Sequence, residues 1–257
     1  MNESRPDTAS RWVRRARPLL GTLVEIGVAG CGFDVHAALD VGFAVVCDAQ
    51  SCMSRFKADS DISRFHALRS GESLVMRTAT RQVLEAARAL QDASDGAFDI
   101  SLGSAPRGWR CEGDRLRKLS DDARLDLGGI GKGHAVDCAV DALLALGCNA
   151  GWVNAGGDLR AFGETELPVW VRDDRSGGAR PFASLRDGAF ATSHYDCDSR
   201  SHLFGDTVGA SRCPASAHVS VAAPLCLWAD ALTKLIAISG DTAHPLLARF
   251  DAQAWVH

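Results

Sequence analysis

Apolar and polar residues repeat along this chain with two periods. Between Val35 and about Met53, Ala38, Leu39, Gly42, Val46 and Ala49 recur at helical spacing. Asp34, a residue type that caps helix N-termini, stands just ahead, so the spacing predicts a helix there. Val83, Leu84, Ala87 and Leu90 predict a second helix from about Thr80 to Ala93, stopped at Ser94-Asp95-Gly96. A third carries Ala135, Val136, Ala139, Val140, Leu143 and Leu144 and stops at Gly147, and a last runs from about Leu227 to Ile238 after Pro224. The pattern becomes alternating in Leu19–Val28, which reads as a strand. Strand-like runs follow at Gly151–Asn154, Leu167–Val171, Pro181–Leu185, Ala189–Ser193 and His218–Ala223. Cys52–Phe65 reads as a loop with a second short turn. Residues 101–124, polar with glycine and proline, hold no long periodic segment. Helices and strands mix without steady βαβ alternation, repeats or an interdomain linker, which predicts an α+β fold.

The 257 residues suffice for a substantial core, in one large domain or two coupled lobes. A formal charge of −4 gives no general reason to expect nucleic acid as a partner. Five arginines fall in the first 17 residues and read as a solvated, flexible tail, leaving 18–257 as the folded domain. Pro18–Gly30 is too short, and too interrupted by Glu25 and glycines, for a signal peptide or membrane insertion. The nine cysteines are odd in number and lack a C-x-x-C pair, so they read as reduced thiols and predict a cytoplasmic location.

Candidate chemistry concentrates in Leu125–Asp137, LDLGGIGKGHAVD. Gly128, Gly129, Gly131 and Gly133 surround Lys132 just where the third helix opens. Such a turn aims backbone N–H groups and the positive end of the helix dipole at one spot, and the ammonium adds a full charge, so an anion is the natural occupant. The P-loop pattern fails because Gly133 follows Lys132 where Ser or Thr is required, and G-x-G-x-x-G fails because His134 takes the last glycine. A tight turn before a core helix is the plain alternative. On the last helix, Asp230, Thr233 and Lys234 share one face of an otherwise apolar segment.

LDLGGIGKGHAVD resembles the LDLGGIAKGYAVD signature of the FAD:protein FMN transferases, the ApbE-type flavin transferases. Companion motifs follow in that family's order: PLLGT at Pro18–Thr22, CMSRF…DISRF at Cys52–Phe65, GAFDI at Gly96–Ile100, VNAGGDLRAFG at Val153–Gly163 and VAAPLCLWADAL at Val221–Leu232. The resemblance implies a mixed α/β single large domain of the ApbE-like (T-fold-like) type, with the flavin site between the glycine turn and the C-terminal helix. It implies FAD as substrate, Mg2+ as cofactor, and transfer of the FMN moiety to a Thr or Ser hydroxyl of a target flavoprotein with release of AMP. Flavin contacts carried over by motif are Leu20, Phe56, Ala97, Phe98, Asp99, Asp126, Lys132, Phe204 and Thr233. Asp99 and Asp126 each follow an apolar residue at an expected strand end, where a carboxylate could accept from adenine or ribose. Asp158 closes the NAGGD turn, either positioning it or touching the ligand. The implied metal ligands are the Gly129 carbonyl, Asp230 and position 234. His202, in SHLFGD, is the implied base, with Asp230 and Lys132 as the other catalytic groups.

Three departures from the family stand out. Position 234 holds Lys where the family has Thr, and a protonated amine cannot ligate Mg2+, which requires oxygen. Lys234 either supplies the metal's charge or leaves the ion to Asp230 and water. Gly205 and Asp206 interrupt the family's run after His202, and His194 stands where the family usually has Gly. Ile100–Arg124 replaces a longer family segment, which predicts a more open site or one completed by a partner chain, such as a second copy in a homodimer. An FAD-binding protein or FAD pyrophosphatase that has lost protein flavinylation is the alternative function.

Overall fold

The computed structural model describes residues 12–29, 34–173, 176–195 and 217–257. A seven-stranded antiparallel sheet forms the frame, in the order β1 (Val13–Leu19), β2 (Thr22–Ala29), β6 (Ala150–Ala155), β7 (Asp158–Asp173), β8 (Gly178–Tyr195), β9 (Ala217–Ala223) and β10 (Gln253–Val256). Three helices lie on one face: α1 (Val35–Met53), α4 (Gly131–Ala145) and α5 (Cys226–Ser239). They cover Val24, Ile26, Val28, Val153, Ala155, Ala189 and Ala191, which point from alternate strand positions into one buried cluster. Phe190, Val169 and Val171 form a smaller cluster on the other face. Beside this frame, α2 (Asp61–Ala67) and α3 (Thr78–Ala93) pack with a small sheet ordered β3 (Ser73–Val75), β5 (Arg115–Lys118), β4 (Trp109–Glu112). Met53, Phe65, Leu84, Trp109 and Leu116 join them to α5 through a second core. A four-residue helix α6 (Leu246–Arg249) precedes β10.

The helices lie close to where their periodicity predicts them, with Asp34 accepting the His36 N–H at 2.9 Å. The expected strand Leu19–Val28 is instead the end of one strand, a turn and a second strand. Leu20 and Gly21, with φ of 56° and 73°, form a two-residue turn of the kind that matches hairpin twist. Val13–Arg17 therefore lie in the sheet and not in a tail, so the domain begins ahead of residue 18. Arg15 and Arg17 reach Asp40 at 3.2 and 2.6 Å, and Arg17 also lies over the Phe43 ring at 4.6 Å. Leu167–Val171 and Pro181–Leu185 belong to one long β7–β8 ribbon whose pairing shifts between Ala161 and Glu166. Within 101–124, the segment without periodicity, β4 and β5 form a hairpin too short for a pattern to show.

A candidate anion and flavin site between two mutually capped helices

Neither α4 nor α5 has a side-chain cap from its own N-cap residue. Each borrows one from the other. Asp137 on α4 accepts the N–H groups of Cys226 and Leu227 at 2.9 and 2.8 Å, and Asp230 on α5 accepts the Gly133 N–H at 3.1 Å. Orphan donors at both helix starts are thus satisfied by carboxylates placed against the positive dipole ends. Glycine is required for this approach. A Cβ on Gly133 would lie 2.3 Å from the Cys226 carbonyl oxygen. Arg160 holds Asp137 from the other side at 3.1 Å.

This contact fixes a quartet of charges, two buried carboxylates under two partly exposed lysines. Lys132 Nζ is bonded to Asp158 Oδ2 and lies 3.9 Å from Asp230 Oδ1, while Lys234 Nζ is bonded to the same Asp230 oxygen. Lys234 also donates to the Asp230 carbonyl at 3.0 Å and to Ser193 Oγ at 3.1 Å. Burial alone would raise the Asp230 carboxyl, but the two ammonium groups and the Gly133 N–H hold it below the usual range, so it stays ionised. Asp158 is pushed up to about 6 by burial and by its like-charged neighbour Asp230, against the pull of Lys132. Burial lowers both lysines, but the carboxylates outweigh it and raise them.

Above the quartet lies a cavity of about 410 Å³, within the range of small-molecule sites. Gly128, Gly129, Lys132 and Lys234 form its charged floor; Thr192, Ser193, His194 and Tyr195 from the end of β8 form one wall; Ala97–Ile100, Leu102, Asp126 and Ile238 form the rim. Ala97, Phe98, Asp99, Asp126, Gly129, Lys132 and Lys234, all singled out from the sequence, meet there. Asp230 is fully buried beneath the lysines, and Thr233 is buried behind them, bonded to Ser193 Oγ and to the Asp230 carbonyl. Leu20 sits in the β1–β2 turn, bonded through its N–H to Gln50, and does not line the cavity. Phe56 is 84% exposed, stacked under Arg55 beside an adjoining depression that shares Leu102 and Asp126 with the cavity. His202 and Phe204 lie outside the described residues.

Asp99 and Asp126 correct the strand-end expectation. Both lie in turns, where short carboxylates find nearby N–H groups. Asp99 accepts from Ser101 N and Oγ, Gly103 N and Gln91 Nε2, all within 3.2 Å. Asp126 accepts the Gly128 N–H at 2.8 Å and pairs with Arg55 at 3.3 Å. Their first task is to shape the rim.

Sequence reasoning passed over Asp137 and, on the β8 wall, Thr192, Ser193 and Tyr195. A carboxylate on the buried side of an apolar helix is the signal for Asp137. Nothing in the alternating pattern of β8 distinguishes Ser193 from an exposed polar residue. His194, present where the resemblance leads one to expect Gly, lines the cavity with its ring 4.5 Å from that of His218.

The implied Mg2+ does not fit the donor set. Lys234 contributes an ammonium where an oxygen ligand is needed, and it sits directly on Asp230. Thr233 is turned to other partners.

The sequence pattern of the ApbE family matches residues 20–119 and 110–256. The FAD:protein FMN transferase of Treponema pallidum is 25% identical over 229 residues, which cover 70% of this chain and 63% of that protein. That of Vibrio cholerae is 26% identical over 233 residues, covering 74% and 69%. This chain thus spans less than two thirds of the length of the Treponema relative. Among solved structures, the apo flavinyl transferase ApbE of Pseudomonas stutzeri superposes with a TM-score of 0.79 at 21% identity, over 96% of this chain and 91% of that one. The ApbE protein of Thermotoga maritima gives 0.79 at 20% identity, over 96% and 94%. These likenesses establish the fold.

Proposed function

This chain belongs to the ApbE family, and on that premise we propose that it transfers the FMN moiety of FAD to a Thr or Ser hydroxyl of a target flavoprotein, releasing AMP. The observation that carries the reading is the cavity floor, where a glycine turn, a helix N-terminus and Lys132 converge on one spot beside a space large enough for a ligand. The pyrophosphate lies across Gly128–Lys132, with the flavin toward the Ala97–Leu102 rim and Phe56. The acceptor oxygen attacks the FMN-side phosphorus and its proton passes to a base. The bond to the bridging oxygen then breaks, and AMP leaves. His202 is the base carried over from the family, and His194 is a second imidazole at the cavity wall. Lys132 contributes by holding and neutralising phosphate charge, the dominant need in phosphoryl transfer. Asp230 is a positioning residue beneath it, through Lys132 and the Gly133 N–H.

No described helix is long and apolar enough to cross a membrane. Cytoplasmic location rests on the scattered thiols, of which Cys47, Cys52, Cys111, Cys138 and Cys226 are free. The open rim leaves room for the acceptor protein or a second copy of the chain.

The test is incubation of the purified chain with FAD and a flavoprotein domain carrying an acceptor Thr, followed by chromatography for AMP and mass spectrometry of the acceptor. The expected result is equal amounts of AMP and FMN-bearing acceptor. Release of AMP and FMN with the acceptor unmodified would make the protein a pyrophosphatase. FAD retained without AMP would make it a flavin binder, the reading that the Lys234–Asp230 contact favours next.

A further inference from the structure

We propose that this chain carries its own cation: the Lys234 ammonium occupies the Asp230 carboxylate in place of a divalent ion, so the cavity takes a pyrophosphate ligand without metal. The identity of that ligand as FAD rests on the reading above. The exclusion of a divalent ion at Asp230 does not.

Four observations converge. The ammonium has three N–H donors, and Asp230 Oδ1, the Asp230 carbonyl and Ser193 Oγ supply three acceptors. It is a fully engaged internal group, unlike Lys132, whose side chain is 32% exposed toward the cavity. The lysine stem is also held. Gly129 has no side chain, and a Cβ there would lie 3.2 Å from Lys234 Cε and 3.4 Å from Cγ, so the glycine turn closes directly over the methylenes. Swinging the lysine out to admit an ion would break these contacts and the three bonds together. Charge is balanced, since Lys132 and Lys234 face Asp158 and Asp230. A divalent cation added there would find no net negative charge to offset the loss of its water, in a site where the carboxylates are already paired. Finally, both Asp230 oxygens already have a donor: Oδ2 accepts the Gly133 N–H while Oδ1 accepts from Lys234. Replacement of the lysine by Thr would leave one uncompensated carboxylate, a backbone carbonyl, Ser193 Oγ and the introduced hydroxyl, which is a hard-oxygen set suited to a divalent ion.

The experiment is Mn2+ titration of the full chain without flavin, read as the electron paramagnetic resonance signal of free Mn2+, for the parent and for Lys234→Thr. In parallel, FAD affinity is measured by flavin fluorescence in chelator and in Mg2+. The expected result is no uptake of Mn2+ by the parent and uptake near one ion per chain by Lys234→Thr. FAD affinity should change less than about twofold with Mg2+ in the parent and at least about tenfold in the variant. Stoichiometric Mn2+ uptake by the parent, abolished by Asp230→Asn, would overturn the proposal. So would a folded Lys234→Thr that takes up none, because the lysine would then not be what keeps the ion out. If Lys234→Thr fails to fold, Lys234→Gln keeps most of the stem and removes the charge, with the same expectations. Absence of FAD binding in every arm would count against the flavin reading, while the Mn2+ result would still decide the cation.

Discussion

The floor and the rim of the cavity are both built from Asp and Gly, yet they use the carboxylates in opposite ways. On the rim, Asp99 and Asp126 bond chiefly the backbone of their own turns within a few residues, Asp126 adding one partly exposed pair with Arg55. On the floor, Asp137, Asp158 and Asp230 bond groups distant in sequence: Asp230 reaches Gly133 and Lys132, Asp158 reaches Lys132, and Asp137 reaches Cys226 and Leu227. A rim carboxylate shapes a loop; a floor carboxylate holds two elements and a charge in register. The rim should therefore tolerate change with local consequences, and the floor should not.

The largest effect is expected at Asp230. Asp230→Ala leaves the Lys234 ammonium and the Gly133 N–H without their shared acceptor and removes the second carboxylate beside Lys132. Loss of one partner from a buried ionic contact costs ~3–5 kcal/mol, which urea denaturation would register. Asp99→Ala on the rim should cost clearly less, because it deprives neutral N–H and O–H donors, and no ammonium group, of an acceptor; equal losses would erase the distinction. Next is Gly133→Ala, whose Cβ would collide with the Cys226 carbonyl. Overpacking of this kind costs about 1–3 kcal/mol, and it should separate α4 from α5 and weaken FAD binding as well. Asp126→Ala releases only the exposed Gly128 N–H and Arg55. Its expected cost is about 1 kcal/mol, seen in calorimetry as weaker FAD binding with little change in the unfolding midpoint.

How far the sequence alone revealed these two regions follows from the same contrast. Helices α1, α3, α4 and α5 were legible because each buries one apolar stripe of several turns, as Val83, Leu84, Ala87 and Leu90 do on α3. The β1–β2 hairpin was not, because Leu20 takes the left-handed conformation that a glycine usually marks. The hairpin β4–β5 has too few residues to show a period. Lys132, Asp230 and Lys234 were legible from local motifs, but their shared contacts join residues far apart in the chain. No local pattern states that Asp137 caps a helix 89 residues later.

The smallest effect expected is in pH dependence. Burial holds His134, beside the floor, and His66, in the adjoining depression, below the ordinary imidazole range; Asp141 opposes this for His134, and the Leu125 carbonyl for His66. Because both imidazoles titrate lower in the folded chain than in the unfolded one, the unfolded chain binds these protons first. Stability should therefore fall as pH drops through about 6.5 and level off once the folded imidazoles are protonated too. The loss is ~1.4 kcal/mol for every pH unit that separates folded from unfolded titration. His134→Asn and His66→Asn should each flatten the urea midpoint between about pH 7 and 5.5. Asp158, pushed up to about 6, acts with the opposite sign in the same window, so the check is the difference between parent and variant: a variant midpoint that falls toward acid pH as steeply as the parent's would contradict the assignment.

The central claim, that the floor is built to hold a pyrophosphate, is tested most directly by equilibrium titration of the parent and Lys132→Gln with FAD and with riboflavin. The parent should bind FAD far more tightly than riboflavin. Lys132→Gln should lose at least about tenfold in FAD affinity, roughly one charged hydrogen bond, with riboflavin unchanged. Equal FAD affinity in the two chains, or a parent that binds riboflavin as tightly as FAD, would contradict the account.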